Sequence, residues 1–271
     1  MRSAITVSLV PEASGGPFVY WNGLADVFER AAELGFDAVE IFPPSAESLS
    51  VGEIRGLMEK HGLAVAAVGT GAGWVKHRLH LCHPEAGVRR EALRFLEGVI
   101  RKAGALGAPA ILGSMQGRVE LGVERAQALE WLGAALQEAQ RWAGECGQVF
   151  LYEPLNRYET NLFNRQTDGA SFLRERALSG VRILADWFHM NIEETDLAAA
   201  LGELGGSLGH VHFADSNRRA MGFGHTALKP LVEALRGIGY GGYLSAEILP
   251  LPDSEAAARR TMQSFRAAQS M

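Results

Sequence analysis

Residues 92–113 read Ala92-Leu-Arg-Phe-Leu96-Glu-Gly-Val99-Ile100-Arg-Lys-Ala103-Gly-Ala-Leu106-Gly107-Ala108-Pro-Ala-Ile-Leu-Gly113. Ala92, Leu96, Val99, Ile100, Ala103 and Leu106 follow one another at steps of four, three, one, three and three, which places them on one helix face. Gly107 stands where a helix ends on a left-handed residue, and Ala108–Gly113 then reads as a short β-strand. The same grammar recurs outward from this stretch. Gly35, Gly62, Gly147 and Gly239 each follow a helical pattern and precede a strand. The other candidate strands are Ile5–Val10, Ala38–Phe42, Leu63–Val68, Val149–Glu153, Val181–Asp186, Leu208–Phe213 and Gly242–Glu247.

Eight strands alternating with about eight helices in 271 residues match an α/β architecture, a (β/α)8 or TIM barrel, filling residues 1–271 as one domain. No linker or shift of composition divides the chain. An open doubly wound sheet is the alternative, and it usually carries a glycine fingerprint in its first βα turn. Gly69-Thr-Gly-Ala-Gly73 follows a strand but has the wrong spacing and no helix directly behind it, so it reads as a flexible loop.

The composition is that of a globular protein, 47% apolar and 21% charged, with a formal net charge of −5. That balance disfavours nucleic acid and anionic membrane, which demand concentrated basic surface. Two cysteines, Cys82 and Cys146, are too few for a disulfide framework or a thiolate zinc site, and they fit a reduced, cytoplasmic setting. The N-terminal apolar residues alternate with Thr6 and Ser8 as in a strand, and no apolar run approaches the ~20 residues that span a bilayer.

Chemistry concentrates between residues 150 and 250. Glu153, Asp186 and Glu247 each close a candidate strand, and His212 lies near the end of another. Strand ends of a barrel share one rim, so residues 33, 26 and 35 positions apart would converge on it. Singly, each carboxylate reads as a helix cap or a solvated loop charge. Four in succession read differently, because three carboxylates and an imidazole cannot be buried together without a compensating cation. The oxygen-rich set suits Mn²⁺, Co²⁺ or Mg²⁺, with Zn²⁺ admissible. His210, two residues before His212 and on the same face, reads as a hydrogen-bonded core residue. His61, His77, His80 and His83 read as helix ends or loops. Arg218, in a βα loop shortly after His212, reads as a substrate contact, whereas Arg219 fits a solvated position equally well.

These motifs resemble a known family. Glu153-Pro-Leu-Asn-Arg-Tyr-Glu159-Thr, Asp186-Trp-Phe-His189-Met-Asn-Ile-Glu-Glu and Gly209-His-Val-His212-Phe-Ala-Asp-Ser-Asn-Arg218 are similar to the ketose 3-epimerase group of the xylose-isomerase-like barrels. Val68-Gly-Thr-Gly71 and Ile111-Leu-Gly-Ser-Met-Gln-Gly-Arg118 extend the likeness. The tail Leu244-Ser-Ala-Glu247-Ile-Leu-Pro-Leu-Pro252 resembles the branch containing 5-keto-L-gluconate epimerase. The resemblance implies one divalent metal, Mn²⁺ first among candidates, held by Glu153, Asp186, His212 and Glu247. It implies that Glu153 and Glu247 are the catalytic acid/base pair and that Glu159, His189 and Arg218 hold the carbonyl end of the substrate. Arg118 is a candidate for the remote end. A small sugar or sugar acid is the expected partner, and a homodimer or homotetramer the expected assembly. Trp187 and Met221 stand where relatives usually carry Thr and often carry Pro, so both are expected to reshape the pocket.

Such a site suits epimerisation beside a carbonyl. A side-chain carboxylate removes an α-proton at a useful rate only if the developing enediolate is stabilised, as a Lewis acid does. Two carboxylates then exchange donor and acceptor roles on opposite faces. The expected substrate is an unphosphorylated ketose or keto-sugar acid, with 5-keto-L-gluconate/D-tagaturonate leading. An aldose–ketose or hydroxypyruvate-type isomerase would use similar ligands. An abasic-site endonuclease would need more histidines and a basic groove, and a non-catalytic sugar-binding barrel would have no use for paired carboxylates.

Overall fold

A computed structural model describes residues 1–271. Eight parallel strands close into a barrel in chain order: β1 (Arg2–Ser8), β2 (Ala38–Phe42), β3 (Ala64–Gly69), β4 (Ala110–Leu112), β5 (Phe150–Tyr152), β6 (Val181–Asp186), β7 (Leu208–His212) and β8 (Tyr243–Ala246). Closure is made by β1 against β8, with Arg2 opposite Tyr243 and Ile5 opposite Ala246. The chain is thus the expected barrel rather than the open sheet.

The helix Ala86–Ala105 buries Ala92, Leu96, Val99, Ile100 and Ala103, the face read from their spacing. Each large apolar side chain so buried contributes about 1.5–3 kcal/mol. The five glycines read as helix ends all have positive φ; at Gly35 the backbone N–H caps the helix by donating to the carbonyls of Ala31 and Ala32. Strand β4 begins later than expected because Pro109 has no N–H for the ladder, although its carbonyl accepts from Val68. Strand β1 starts at Arg2 and stops at Ser8, whose hydroxyl accepts the N–H of Val10 and turns the chain out of the sheet.

One loop reading is corrected. The segment after β3 opens directly into a short helix, Ala72–Val75, and is packed rather than loose: a Cβ at Gly73 would meet the Met115 sulfur at 2.2 Å. The loop after β7 is also ordered, since the Asp215 carboxylate accepts four backbone N–H groups, from Ser216, Gly222, Gly224 and Thr226. No helix is long and apolar enough to cross a membrane.

Candidate metal centre and active site

The C-terminal ends of β5 to β8 deliver Glu153, Asp186, His212 and Glu247 to one place. Their ligand-type atoms lie within 4.8 Å of one another, and all four residues are buried. Nδ1 of His212 is 3.4 Å from Glu153 Oε1, 3.7 Å from Asp186 Oδ2 and 3.5 Å from Glu247 Oε2. Glu153 and Glu247 fall one residue beyond β5 and β8. Glu153 still joins the ladder through its N–H to Leu112 O, and a Cβ at Gly113 would lie 2.5 Å from its Oε2. Beneath it, the Gln116 amide donates to the carbonyls of Glu153 and Gly113 and accepts from the Tyr152 hydroxyl.

Asp186 caps a helix with one carboxylate oxygen and turns the other toward the cluster. One carboxylate oxygen, Oδ1, caps the helix Trp187–Glu193 by accepting from Phe188 N–H at 2.8 Å. The other, Oδ2, is buried without a hydrogen-bond partner, as are Glu153 Oε1 and His212 Nδ1. Each such orphan costs about 1–3 kcal/mol. Three of them converging in one cluster form a donor set that could hold a divalent cation.

His212 is fixed from behind by a residue the sequence reading passed over. Glu40, in the middle of β2, places Oε1 3.0 Å from His212 Nε2 and Oε2 2.7 Å from His210 Nε2. Strands β2 and β7 are separated by β1 and β8, so these side chains meet inside the barrel. The sequence signal was a lone carboxylate in an otherwise apolar strand. His210 is hydrogen-bonded in the core, as expected.

Around the cluster, Arg218 Nη2 lies 2.6 Å from Glu247 Oε2 and 3.7 Å from Asp186 Oδ2, and its Nη1 lies 3.7 Å from Glu159 Oε1. Arg218 holds a left-handed φ of 58°, uncommon for a side chain of its size. Its N–H donates to Asp215 O and its carbonyl accepts from Leu249, which pins the conformation. His189 is fully buried, with Nε2 3.5 Å from Asp186 Oδ2. The Asn156 amide donates to its Nδ1 at 2.7 Å, so the ring proton sits on Nε2, toward the cluster.

The electrostatics divide the carboxylates. Burial raises the pKa of Glu153 and of Glu247, against the pull of His212 on both and of Arg218 on Glu247. Burial also acts on Asp186, but His189, His212 and Arg218 outweigh it and hold that pKa low. His212 is raised well above its ordinary range because Glu247 and Glu40 outweigh its burial. His189 is pushed down to about 4 by burial and is neutral. Two carboxylates pushed up beside one held low are separated in the sense that acid/base chemistry uses.

A cavity of about 680 Å³ opens over the cluster, lined by Glu153, Glu247, His189, Arg218, Glu159 and, from the loop after β4, Arg118. All the expected substrate-contact residues therefore share one space. Arg219 is exposed and outside it. His80 lies in a loop, as read, but it is 2% exposed, lines the cavity and pairs with Glu120 at 3.0 Å. With His83 these two form a second grouping of ligand-type residues. Its Glu120 is taken by His80, and His83 Nδ1 by the N–H of Glu85, so it serves as polar wall. Trp187 and Met221 do not line the cavity; both are buried, and Trp187 packs edge-on against Phe213 with ring centroids 5.3 Å apart.

A closed parallel barrel with buried acids and imidazoles at its C-terminal mouth defines a TIM-barrel enzyme. Residues 28–268 match the xylose isomerase-like TIM barrel family, and the chain belongs to it. Its curated relatives include the 3-dehydro-D-guloside 4-epimerase of Escherichia coli, 30% identical over 83% of this chain and 87% of that one. The D-psicose 3-epimerase of Enterocloster bolteae is 30% identical over 83% of this chain and 78% of its own. The crystal structure of D-psicose 3-epimerase with D-tagatose from Clostridium cellulolyticum superposes over 100% of this chain and 99% of the other, with TM-score 0.80 and 23% identity. These curated relatives are epimerases, the isomerase class the sequence motifs imply.

Proposed function

We propose that the chain is a divalent-metal-dependent epimerase that inverts the carbon beside the carbonyl of a ketose or keto-sugar acid. The observation that carries this reading is the convergence of three orphaned buried atoms, Glu153 Oε1, Asp186 Oδ2 and His212 Nδ1, beside Glu247. Glu153, Asp186, His212 and Glu247 would hold the cation, Mn²⁺ first among Mn²⁺, Co²⁺, Mg²⁺ and Zn²⁺. When bound, it would supply electrophilic stabilisation of the charge that develops as the α-proton leaves.

The chain's own residues then divide the remaining work. Glu153 and Glu247 stand three strands apart around the rim, so each addresses the substrate from its own side. Either can carry a proton while the other accepts one, and burial, which raises the pKa of both, favours that exchange. The neutral His189 offers its Nε2–H and Arg218 its guanidinium to the carbonyl end, with Glu159 beside them to accept from a hydroxyl. Arg118 serves the far end. Resemblance favours an unphosphorylated hexonate such as 5-keto-L-gluconate or D-tagaturonate, and the names of the relatives support the same chemistry on free ketoses and a keto-glycoside.

Incubating the protein in D₂O with ketoses and keto-acids and each of the four metals, followed by NMR, tests the reading. Deuterium at the carbon beside the carbonyl, together with the epimeric product, is expected. An aldose product would reassign the chain to aldose–ketose isomerisation, and the absence of exchange from every substrate would refute the proposal.

A further inference from the structure

The rim of the barrel is split. The acids, the imidazoles and Arg218 come from β5 to β8 and the loops that follow them, whereas the segment after β1, the end of β2 and the loops after β3 and β4 bring Phe18, Phe42, Trp74 and Arg118 to the same cavity. The cavity, about 680 Å³, falls in the ~300–1,000 Å³ range that encloses a drug-sized ligand. A hexose, formally six carbons and six waters, displaces only about 200 Å³ at the roughly 30 Å³ that each water occupies. More than half of the space therefore lies beyond a single sugar ring.

That outer space is built. Trp74 stays 37% exposed while lining the cavity, and His80 supports its ring edge-on at 5.6 Å between centroids. Phe18 packs on Phe42 at 4.4 Å. Lys76 and Glu12 pair at 3.3 Å, tying the segment after β1 to the short helix that carries Trp74. Tyr158, 77% exposed, lines the same cavity from the loop after β5. Aromatic surfaces beside an exposed arginine and a carboxylate match a sugar ring, which has apolar C–H faces and a polar hydroxyl edge.

We infer that, in place of the free hexonate that resemblance alone favours, the substrate is a keto-sugar within a glycoside: the keto ring lies over Glu153 and Glu247, and a second sugar ring lies against Trp74 with Arg118 at its hydroxyl edge. This rests on the epimerase reading above and names its substrate class. The test compares a keto-disaccharide having glucose as second ring with the corresponding keto-monosaccharide, by the rate of deuterium uptake from D₂O with Mn²⁺ present. The kcat/KM for the disaccharide is expected to be higher. Trp74→Ala should lower the disaccharide-to-monosaccharide ratio by roughly five- to tenfold, and Trp74→Phe by less. Trp74 is exposed enough for both variants to fold. A ratio at or below one in the wild type, or a ratio that Trp74→Ala leaves unchanged, overturns the inference while exchange into the monosaccharide preserves the epimerase reading. Exchange into neither probe but into a free keto-acid overturns the inference alone, and exchange into no substrate at all defeats both.

Discussion

Glu40 grips His212 across the barrel interior: its Oε1 lies 3.0 Å from His212 Nε2, and its Oε2 lies 2.7 Å from His210. A carboxylate there keeps the proton of His212 on Nε2 and leaves Nδ1 for the cluster of Glu153, Asp186 and Glu247. Glu40→Gln should therefore weaken divalent-metal affinity by about 10–100-fold, measured by calorimetric titration. The pH arithmetic has a definite sign. Burial opposes the Glu40 charge, but His212 and His210 outweigh it, so its folded pKa lies below the ordinary 4.5. A depressed carboxylate contributes stability that is present above its unfolded pKa and lost as pH falls toward the folded one. Acid melts of the wild type should show this loss below about pH 4.5, and the variant should lack it. Equal metal affinity in the two proteins would remove Glu40 from the site.

Asp186→Asn separates the two roles of Asp186. Asparagine caps helices as well as aspartate does, so the bond to Phe188 N–H survives and the melting temperature should change little. The orphaned Oδ2, by contrast, loses its charge. Metal affinity should fall by more than about tenfold, since even a supporting partner is worth that much. Unchanged affinity would make Asp186 a cap and nothing more.

The strand ends were legible because barrel geometry converts sequence position into spatial position: a carboxylate closing a short apolar run has only the rim to occupy. Glu40 was not, because its partners lie 170 and 172 residues away and one charge in a five-residue strand carries no address. Trp187 was misread for a related reason. It follows Asp186 directly, but the chain turns into a helix there and sends the indole against Phe213 instead of into the cavity. Asp215 reads as an ordinary loop residue until its four N–H partners are seen, three of them at least seven positions downstream.

Asp215 also carries a prediction about Arg218. Burial raises the Asp215 pKa, but the N–H groups of Thr226, Gly224, Ser216 and Gly222 lower it further than burial lifts it. Asp215→Asn should cost about 1–3 kcal/mol in chemical denaturation at neutral pH, because bonds to a charged acceptor are exchanged for weaker ones. The loop it stitches sets the backbone of Arg218, whose N–H donates to Asp215 O. KM for the keto-sugar should rise more than kcat falls. A variant as stable as wild type, with unchanged KM, would show that the loop holds its shape without the carboxylate.

Mechanism is tested most directly at Glu153 and Glu247. If they serve opposite faces, Glu153→Gln and Glu247→Gln should each abolish net epimerisation, since each variant retains an oxygen near the cluster but cannot accept the α-proton. The carboxylate that remains can still exchange the proton facing it. One variant should then take up deuterium from D₂O into one epimer and the other variant into the opposite epimer, with neither making product. Because Glu247 is also held by Arg218 at 2.6 Å, its loss frees that guanidinium and should disturb substrate affinity more than the loss of Glu153 does. Both residues are also proposed to hold the cation, so rates are to be compared at equal metal occupancy, measured by elemental analysis on the same samples. Equal deuterium uptake into both epimers by one metal-loaded variant would mean that a single mobile base serves both faces, and the two-carboxylate mechanism would fall even with the barrel and its metal centre intact.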